Sequence, residues 1–371
     1  MSAPDRLIIK VGSSLLVDAD GAVRRDWLAA LVADIALRIT EGQQIAIVSS
    51  GAIALGARRL GLAKGGRASL EDAQAAAAVG QIALAGVWAE LLAAQGLTAA
   101  QMLVTLDDLE DRRRYLNAVA TLDRLLSLGV VPIINENDSV ATAEIRFGDN
   151  DRLAARIAAA ARAKTVVLLS DVDGLYTADP TRDPTAERIP RVAWIDARIM
   201  SMVQTGSSSG MGSGGMASKL EAARIANAGG ADLIIVSGHE AHPLRRIDSG
   251  IDGGAHGTLF AASVKTKGRK TWLAGRLTVR GTINVDAGAA KALASGASLL
   301  AAGATSATGT FARGDVIDIT GPDGAVIARG LSEYDATEVA RIVGLKSDVI
   351  ARILGYAPRS ALVHRDHMVH L

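Results

Sequence analysis

The feature that most constrains the fold is an apolar run that ends abruptly in polar residues. Residues 130–134 read Val-Val-Pro-Ile-Ile, and Asn135-Glu136-Asn137-Asp138 follow directly. Further on, Gly148-Asp149-Asn150-Asp151 leads into helical apolar spacing over residues 153–158. This order predicts a buried strand, a loop, and a helix whose first turn carries Asn150 and Asp151. Ligands of open α/β sheets bind beyond the carboxyl ends of strands, so we expect a ligand here; surface turns and caps are the alternative.

The same pattern of strand, small polar turn and helix recurs through the first 260 residues. Strands are predicted at 7–11, 44–48, 101–104, 165–169 and 232–238. Helical spacing predicts helices at 25–40, 70–95, 115–128 and 220–228. Such alternation specifies an α/β fold, with a mainly parallel sheet covered by helices on both faces.

The alternation of predicted strands and helices ends near residues 262–275. Beyond that point the chain has short β-like pieces and one helical piece, at 277–279, 283–285, 289–295, 316–319 and 326–328. We therefore predict an α/β domain at 1–262, a linker at 263–274, and a small, mostly β barrel-like domain at 275–371. His364, His367 and His370 are predicted to lie in a solvated C-terminal tail.

Composition excludes several classes of function. The 371 residues include no cysteine, which rules out disulfides, thiolate metal sites and a cysteine nucleophile. The formal net charge is only +1, so bulk charge favours neither nucleic acid nor membrane as a partner. The most apolar window, 73–92, is interrupted by Gln74, Gln81 and Glu90 and is predicted to be a buried helix. The first residues lead directly into a strand, so we expect a soluble, cytoplasmic protein without membrane attachment.

Two turns after predicted strands carry candidate ligand groups. Lys10 lies near the end of the first strand, before Gly12-Ser13-Ser14. It lies either in solvent on an edge strand or at the sheet's carboxyl end, where it would be a cation for a ligand. The second strand runs into Ser49-Ser50-Gly51, whose backbone N–H groups can bind an anion. Ser50 taken alone is equally explained as an ordinary helix N-cap.

A glycine-rich segment leads into a helix that carries another lysine. Residues 206–219 read Gly-Ser-Ser-Ser-Gly-Met-Gly-Ser-Gly-Gly-Met-Ala-Ser-Lys. Such a loop can present successive N–H groups to phosphates, and a lysine in the first helical turn adds positive charge. The spacing fits neither the Walker nor the dinucleotide motif, and a disordered linker is the alternative.

The residues considered together indicate phosphoryl transfer. Lys10, Lys219, the glycine loop and Asp151, which would orient the two lysines, are all predicted at one edge of the sheet. In phosphoryl transfer the protein mainly positions the reactants and neutralises charge. A nucleotide would arrive as its Mg²⁺ complex, held mostly by phosphate oxygens and water.

Six motifs, in this order along the chain, resemble those of the amino acid kinase superfamily. They are Lys10-Val-Gly-Ser-Ser, Val48-Ser-Ser-Gly-Ala, Asn135-Glu-Asn-Asp138, Gly148-Asp-Asn-Asp151, Ser170-Asp-Val-Asp-Gly-Leu-Tyr and Gly214-Gly-Met-Ala-Ser-Lys219. Within the superfamily the resemblance is closest to the glutamate 5-kinase family, over residues 5–260. Residues 275–355 resemble a PUA domain. The resemblance implies a three-layer α/β/α sandwich, and ATP-dependent phosphorylation of the γ-carboxylate of L-glutamate in the first step of proline biosynthesis.

The resemblance also implies roles for individual residues. Lys10 and Lys219 would contact the ATP phosphates, with Asp151 orienting both lysines. The substrate glutamate would be held by Ser50, Gly51, Asp138 and Asn150, with Asp138 accepting from the α-ammonium group. The nucleotide site would be lined by Ser170, Asp171, Ser213, Gly214, Gly215, Met216, Ala217, Ser218 and Lys219. A carboxylate nucleophile is already ionised at pH 7, so no histidine or other general base is required.

Alternatives remain open at this point. A kinase of the same superfamily could act on another small acid or a nucleotide. A protein of a different class would bind RNA through the PUA-like domain, although its aromatic residues, Trp272, Phe311, Tyr334 and Tyr356, are few and scattered. The resemblance further implies a homo-oligomer, either dimer or tetramer, and feedback inhibition by proline.

Overall fold

The computed structural model describes residues 4–18, 22–140, 150–204, 215–248, 256–262, 279–356, 359 and 361–370. The chain divides into two compact units, Met1–Lys265 and Thr266–Leu371. The predicted linker at 263–274 lies outside the described residues, so the predicted domain bounds stay predictions.

The N-terminal unit is built on one large sheet. Its strands are β1 (Arg6–Val11), β2 (Gln44–Ser49), β3 (Ala99–Val104), β4 (Val131–Glu136), β5 (Thr165–Ser170), β6 (Leu175–Tyr176), β7 (Arg188–Ile189), β8 (Arg191–Val192), β9 (Asp232–Ser237) and β10 (Thr258–Phe260). Eight strands pair in the order β3-β4-β2-β1-β5-β9-β10-β8, while β6 and β7 form a two-stranded ribbon. Within the sheet the pairing is parallel except between β9 and β10. The predicted mainly parallel sheet is confirmed.

Helices cover both faces of this sheet. They are α1 (Ser13–Leu16), α2 (Arg25–Thr40), α3 (Ala52–Leu60), α4 (Leu70–Ala93), α5 (Leu106–Glu110), α6 (Arg112–Ser127), α7 (Asn150–Ala161), α8 (Ala197–Gln204), α9 (Met216–Ala228) and α10 (Pro243–Asp248). Successive side chains of a strand point to opposite faces. Accordingly Ile8 packs in the core formed with Leu153 of α7, whereas Ile9 packs in the core formed with Leu31 of α2 and Trp88 of α4. The sequence pattern of fully apolar strands follows from burial on both faces.

Strand β1 is central in the sheet, which decides between the two readings of Lys10. It pairs with β2 on one side and with β5 on the other, with Lys10 opposite Val48 and Leu168. Lys10 is only 8% exposed. The alternative of an edge strand with its lysine in solvent is therefore wrong, and the buried ammonium group requires a partner.

Helices α3 and α4 approach each other unusually closely through two glycines. A Cβ atom on Gly56 would lie 1.7 Å from the carbonyl oxygen of Ala76, and one on Gly80 would lie 1.8 Å from that of Ala52. Only glycine, whose side chain is a single hydrogen atom, permits this contact. The close crossing brings α4 against the sheet, where Gln81, Leu84 and Trp88 are buried.

By length and composition alone, α4 is long and apolar enough to cross a membrane, with a mean hydropathy of 1.6. A core helix of a soluble protein passes the same test, so one such helix is weak evidence. Helix α4 has its buried residues, Ala73, Ala76, Ala77, Gly80, Gln81, Leu84, Trp88 and Leu92, packed inside the protein. We therefore interpret α4 as a helix that packs on the sheet, in line with the sequence prediction.

The described part of the C-terminal unit contains a five-stranded sheet and three α-helices. The strands are β11 (Gly281–Val285), β12 (Ala304–Gly309), β13 (Val316–Thr320), β14 (Val326–Leu331) and β15 (Met368–His370), and the helices are α11 (Ala287–Ala294), α12 (Ala336–Ile342) and α13 (Ser347–Leu354). The strand order is β12-β11-β13-β14-β15. The predicted β-rich module is confirmed, although the sequence did not reveal α12 and α13.

The prediction of a solvated C-terminal tail is wrong. Strand β15 pairs with β14, with Gly330 opposite Met368. Met368 is 2% exposed, and the ring of His367 lies 3.4 Å from a carboxylate oxygen of Glu333. A three-residue strand whose partner lies about forty positions earlier leaves no local periodicity to detect.

The close crossing of α3 and α4 makes a stability prediction. Gly80→Ala places a methyl group into the backbone of α3, so we expect a loss of about 1–3 kcal/mol or more in the free energy of unfolding. Gly86→Ala on the same helix is the matched control, because a Cβ there meets nothing within 4 Å. Alanine is the better helix former, and this control should be neutral or gain up to about 1 kcal/mol. The measurement is the midpoint of urea unfolding for Gly80→Ala and for Gly86→Ala. Equal midpoints for the two variants would contradict the close contact.

Candidate active site

The candidate site lies at the carboxyl edge of the sheet, where four parallel strands end side by side. Strand β1 ends just beyond Lys10, β2 ends at Ser49 before Ser50, β4 ends at Glu136, and β5 ends at Ser170. Because neighbouring strands run in the same direction, these polar residues lie at one edge. Helix α7, which begins at Asn150, brings two more of the predicted residues to the same place.

Asp151 holds the two predicted lysines side by side. Its Oδ1 lies 2.7 Å from the Nζ of Lys10, and its Oδ2 lies 3.1 Å from the Nζ of Lys219. The side chains of Lys10, Lys219 and Asp151 are 10%, 5% and 2% exposed. Three members of the predicted constellation, Lys10, Asp151 and Lys219, thus come together from β1, α7 and α9, although they are up to 209 positions apart (219 − 10). Residues 206–214 of its glycine loop lie outside the described residues.

The electrostatics of this cluster favour its charged form. Burial alone would raise the pKa of Asp151, but the charges and hydrogen bonds of Lys10 and Lys219 outweigh burial and hold that pKa below its usual value. Three formal charges, two positive and one negative, leave the cluster with a net charge of +1. Such a site is complementary to an anion such as a phosphate group.

A chain of side-chain amides runs beside the cluster. The Nδ2 of Asn150 donates to the Oγ of Ser50 at 2.7 Å and to the Oδ1 of Asn135 at 3.0 Å. Asn135 in turn donates to the Oε1 of Gln81 at 2.8 Å, and its Oδ1 also accepts from the backbone N–H of Glu136 at 2.9 Å. Ser50 is thus bonded to Asn150 through its side chain. Helix α3 begins after Gly51 without a side-chain cap, so the N-cap reading of Ser50 is wrong.

Gly51 provides a backbone conformation that other residues rarely adopt. Its φ is +103°, in the left-handed region that favours glycine. It turns the chain from the end of β2 into α3 and leaves Ser50 facing Asn150. That Gly51 contacts the substrate stays a prediction.

Asp138 lies two residues beyond the end of β4 and is in a different electrostatic state. Burial raises its pKa to about 6, and the Arg67 guanidinium opposes this shift only in part. The pKa is raised because burial penalises the charged carboxylate. The site therefore contains one carboxylate that is neutralised by lysines and a second that lacks full compensation.

The predicted nucleotide-binding residues lie at β5 and at the start of α9. The Oγ of Ser170 donates to the Oδ1 of Asp171 at 2.9 Å, and Ser170 is buried while Asp171 is exposed. Helix α9 begins at Met216 with Gly215 as its N-cap, without a side-chain cap. The first-turn N–H groups and helix dipole favour an anion there. Gly148, Asp149, Ser213 and Gly214 lie outside the described residues.

The structure adds two residues to the predicted site. Asn135 was predicted only as part of a polar cluster, and Gln81 only as an interruption in an apolar helix. Both are buried and lie in the amide chain that reaches Asn150. The signal for Gln81 was its polarity in an alanine-rich helix, but sequence alone could not place it against β4.

Two lysines bridged by an aspartate, at the carboxyl edge of a mainly parallel sheet, are the arrangement of a phosphoryl-transfer enzyme. Comparison with family models agrees. The model described as "Amino acid kinase family" matches residues 5–237, and the model described as "PUA domain" matches residues 281–354. The chain belongs to the amino acid kinase family.

Relatives match along nearly the whole chain. A protein from Sphingopyxis alaskensis named glutamate 5-kinase is 68% identical over 366 residues, covering 99% of this chain and 97% of the relative. Proteins of the same name from Novosphingobium aromaticivorans and Zymomonas mobilis are each 62% identical, covering 99% of this chain and 96% and 91% of their own lengths. Both units of the chain are thus shared with these relatives.

The opposite shifts of Asp138 and Asp151 predict opposite effects on stability. The pKa of Asp138 is raised, so its stabilising contribution is present below pH 4 and is lost as the pH rises through about 6. Asp138→Asn should therefore stabilise the ligand-free protein at pH 8, by about 1–2 kcal/mol once partial solvent exposure is allowed for, and should have no effect at pH 4.

Asp151→Asn is the control with the opposite sign. The pKa of Asp151 is lowered, so its contribution is present above its ordinary pKa and is lost only at acidic pH. Removal of this carboxylate takes from two buried lysines the negative charge that they share, at a cost of about 3–5 kcal/mol at pH 8. Thermal unfolding of both variants at pH 4 and pH 8 tests the pair. A destabilised Asp138→Asn variant at pH 8 would refute the proposed electrostatics of Asp138.

Proposed function

We propose that the protein transfers the γ-phosphoryl group of ATP to the γ-carboxylate of L-glutamate, giving L-glutamyl 5-phosphate, the first step of proline biosynthesis. The observation that carries the proposal is Asp151, which holds the ammonium groups of Lys10 and Lys219 at 2.7 and 3.1 Å in a buried site. The choice of glutamate is supported by relatives of that name, which are 62–68% identical over almost the whole chain.

The chemistry requires charge neutralisation rather than a base. A γ-carboxylate oxygen of glutamate attacks the γ-phosphorus of ATP, and the bond from that phosphorus to the bridging oxygen breaks, so ADP leaves. The carboxylate is ionised at pH 7, and no proton has to be removed. Lys10 and Lys219 are the groups that neutralise the oxygens of the transferred phosphoryl group, and Asp151 keeps both ammonium groups directed at it. The proposed reaction therefore does not require a histidine.

The polar residues beside the cluster provide complementary groups for glutamate. Ser50 and the turn at Gly51 lie at the end of β2, next to Asn150 on α7. The partly buried carboxylate of Asp138 has a pKa of about 6, so at neutral pH it is ionised and undercompensated. An α-ammonium group bound there supplies the missing positive charge. An N-acylated amino acid or a simple diacid would leave Asp138 without that partner.

ATP is assigned to the side of the cluster formed by β5 and α9. Ser170 and Asp171 lie at the end of β5, and the residues from Gly215 to Lys219 form the start of α9, whose N-terminus favours phosphate. In the described part of the chain, no group of three or more His, Cys, Asp or Glu residues could hold a metal ion. We therefore assign no protein ligands to Mg²⁺ and propose that it enters on the phosphate oxygens of ATP.

The C-terminal unit gives little support to RNA binding as the main function. Bases of single-stranded RNA stack on exposed aromatic side chains. In the described part of this unit, Phe311 and Tyr334 are 4% and 1% exposed and belong to its core. Tyr356 is 44% exposed, and its hydroxyl donates to Glu338. RNA binding by the PUA domain is thus proposed only as a secondary activity of a cytoplasmic enzyme.

The test of the main proposal traps the product. With ATP, Mg²⁺, L-glutamate and hydroxylamine, an acyl phosphate is converted to a hydroxamate that can be measured by its colour with iron(III). We expect hydroxamate from glutamate, and none from aspartate, N-acetylglutamate or UMP as acceptor. Lys10→Met and Lys219→Met should each lower kcat by about 100-fold to 1000-fold, the usual cost of one charge-stabilising group. Chelation of Mg²⁺ should stop turnover.

Lys164→Met is the matched control for the two lysine variants. Lys164 precedes β5 at the opposite edge of the sheet, where its ammonium group lies 3.1 Å from Asp5 and its side chain is 62% exposed. The Lys164→Met variant should have the same activity as the unmodified protein. Turnover of another acceptor would retain the phosphoryl-transfer site and refute glutamate as substrate. Full activity of both Lys10→Met and Lys219→Met would refute the site itself.

We also propose that the protein forms a homo-oligomer, dimer or tetramer, in which α4 contributes to the contact. Helix α4 carries Ile82, which is 74% exposed, the highest value among the large apolar side chains of the described residues. Burial of such a side chain against a second copy would be favourable. Ile82→Asp should lower the mass measured by analytical ultracentrifugation, whereas Leu128→Asp, at a 56% exposed site after α6, should not. Unchanged mass for Ile82→Asp would exclude α4 from the contact.

A further inference from the structure

The amide chain beside the active site ends in a residue of helix α4, which bonds to Asn135 near the end of β4. Gln81 lies in the middle of α4 and is 8% exposed. Its Oε1 accepts a hydrogen bond from the Nδ2 of Asn135 at 2.8 Å. Its Nε2 is buried and has no hydrogen-bond partner among the described residues. Gln81 therefore acts in this chain through its acceptor alone.

The direction of each hydrogen bond in the chain follows from one backbone group. The N–H of Glu136 can only donate, so the atom of Asn135 that faces it at 2.9 Å is the oxygen Oδ1. The opposite atom, Nδ2, then faces Gln81 and finds an acceptor there. Gln81 and the Glu136 backbone thus hold the Asn135 amide from both sides.

The orientation of Asn135 determines that of Asn150. Because the Oδ1 of Asn135 is an acceptor, the atom of Asn150 that lies 3.0 Å from it is the donor Nδ2. The second hydrogen of that Nδ2 is used on the Oγ of Ser50 at 2.7 Å. Both hydrogens are therefore committed, and the Oδ1 of Asn150 remains, buried and without a hydrogen-bond partner among the described residues.

This geometry gives the substrate site a defined polarity. The buried Oδ1 of Asn150 can only accept. The carboxylate of Asp138, two residues beyond the end of β4, is also an acceptor when ionised. Ser50 receives a bond from Asn150, which leaves its own hydroxyl hydrogen free to donate to a carboxylate oxygen. If the Asn150 amide were turned over, its NH₂ group would face the substrate and its oxygen would face the Oδ1 of Asn135, an unfavourable contact between two acceptors.

We propose that Gln81 is a positioning residue that, through Asn135, holds the Asn150 amide with its oxygen towards the substrate and so makes the site select an acceptor with an α-ammonium group. The inference rests on the proposed phosphorylation of glutamate and names a determinant of its substrate selectivity. Gln81 itself does not touch the substrate. The close packing of Gly56 against Gly80 brings α4 near enough for this contact.

The experiment compares glutamate with glutarate, which has both carboxylates but lacks the ammonium group. Gln81→Met keeps the length of the side chain and removes the acceptor. We expect its kcat/KM for glutamate to fall about tenfold or more, mainly through KM, with a much smaller change for glutarate and for the KM of ATP. The ratio of the two kcat/KM values should therefore fall by about tenfold.

Two further variants separate orientation from general loss of structure. Gln81→Glu keeps an acceptor oxygen and replaces the Nε2, which has no hydrogen-bond partner among the described residues, by a second carboxyl oxygen. Because the bond to Asn135 needs only the acceptor, this variant should restore the unmodified ratio. Leu84→Val shortens a buried apolar side chain one turn further along α4, and it should leave the ratio unchanged whatever it does to stability. If Gln81→Met does not fold, the Gln81→Glu ratio still tests the role of the acceptor.

The possible outcomes are distinct. The proposal is supported if the ratio of kcat/KM for glutamate to that for glutarate falls in Gln81→Met and recovers in Gln81→Glu. An unchanged ratio in Gln81→Met, or a Gln81→Glu variant that behaves like Gln81→Met, overturns it. Absence of glutamate phosphorylation in the unmodified protein would instead refute the proposed function, before any variant is compared.

Discussion

The structure of the site depends on one carboxylate between two buried lysines. Each ammonium group alone would be costly in the centre of a sheet, because burial without a partner costs several kcal/mol. Asp151, 2% exposed, lies between the two ammonium groups and compensates their charge in part. The cluster thus requires three separate elements, β1, α7 and α9, to reach one edge of the sheet. The mainly parallel topology satisfies this requirement, since it places the strand ends and helix starts together.

The helix pair α3 and α4 has a comparable role on the substrate side. The contact between Gly56 and Gly80 lets α4 lie close enough to the sheet for its polar side chains to reach strand residues. Gln81 then bonds to Asn135 on β4, and the indole of Trp88 donates to the Oγ of Ser49 on β2 at 2.9 Å. Two small residues far from the phosphoryl-transfer cluster therefore support the orientation of the groups that face the substrate.

Much of this arrangement could be predicted from sequence, because its signals are local. Apolar runs that end in polar residues identified β1, β2, β4 and β5. The expectation that Lys10, Asp151 and Lys219 meet came from their positions, at the end of a predicted strand and in the first turns of two predicted helices. The parts that were missed depend on distant contacts. The polarity of Gln81 acquires meaning only when α4 lies against β4, and β15 exists only because β14 is beside it. A single sequence contains no signal for either contact.

Asp138 and Asp151 show how the same residue type acquires two roles from its surroundings. Asp151 is buried and Asp138 is partly buried, and burial alone would raise the pKa of each. Asp151 has two lysines within 3.1 Å, so its charge is stable before any ligand arrives. Asp138 has only the partial compensation of Arg67, which leaves its pKa raised to about 6, and its charged form is stabilised when another cation approaches. The first carboxylate therefore maintains the site, whereas the second makes a positively charged group on the substrate energetically valuable.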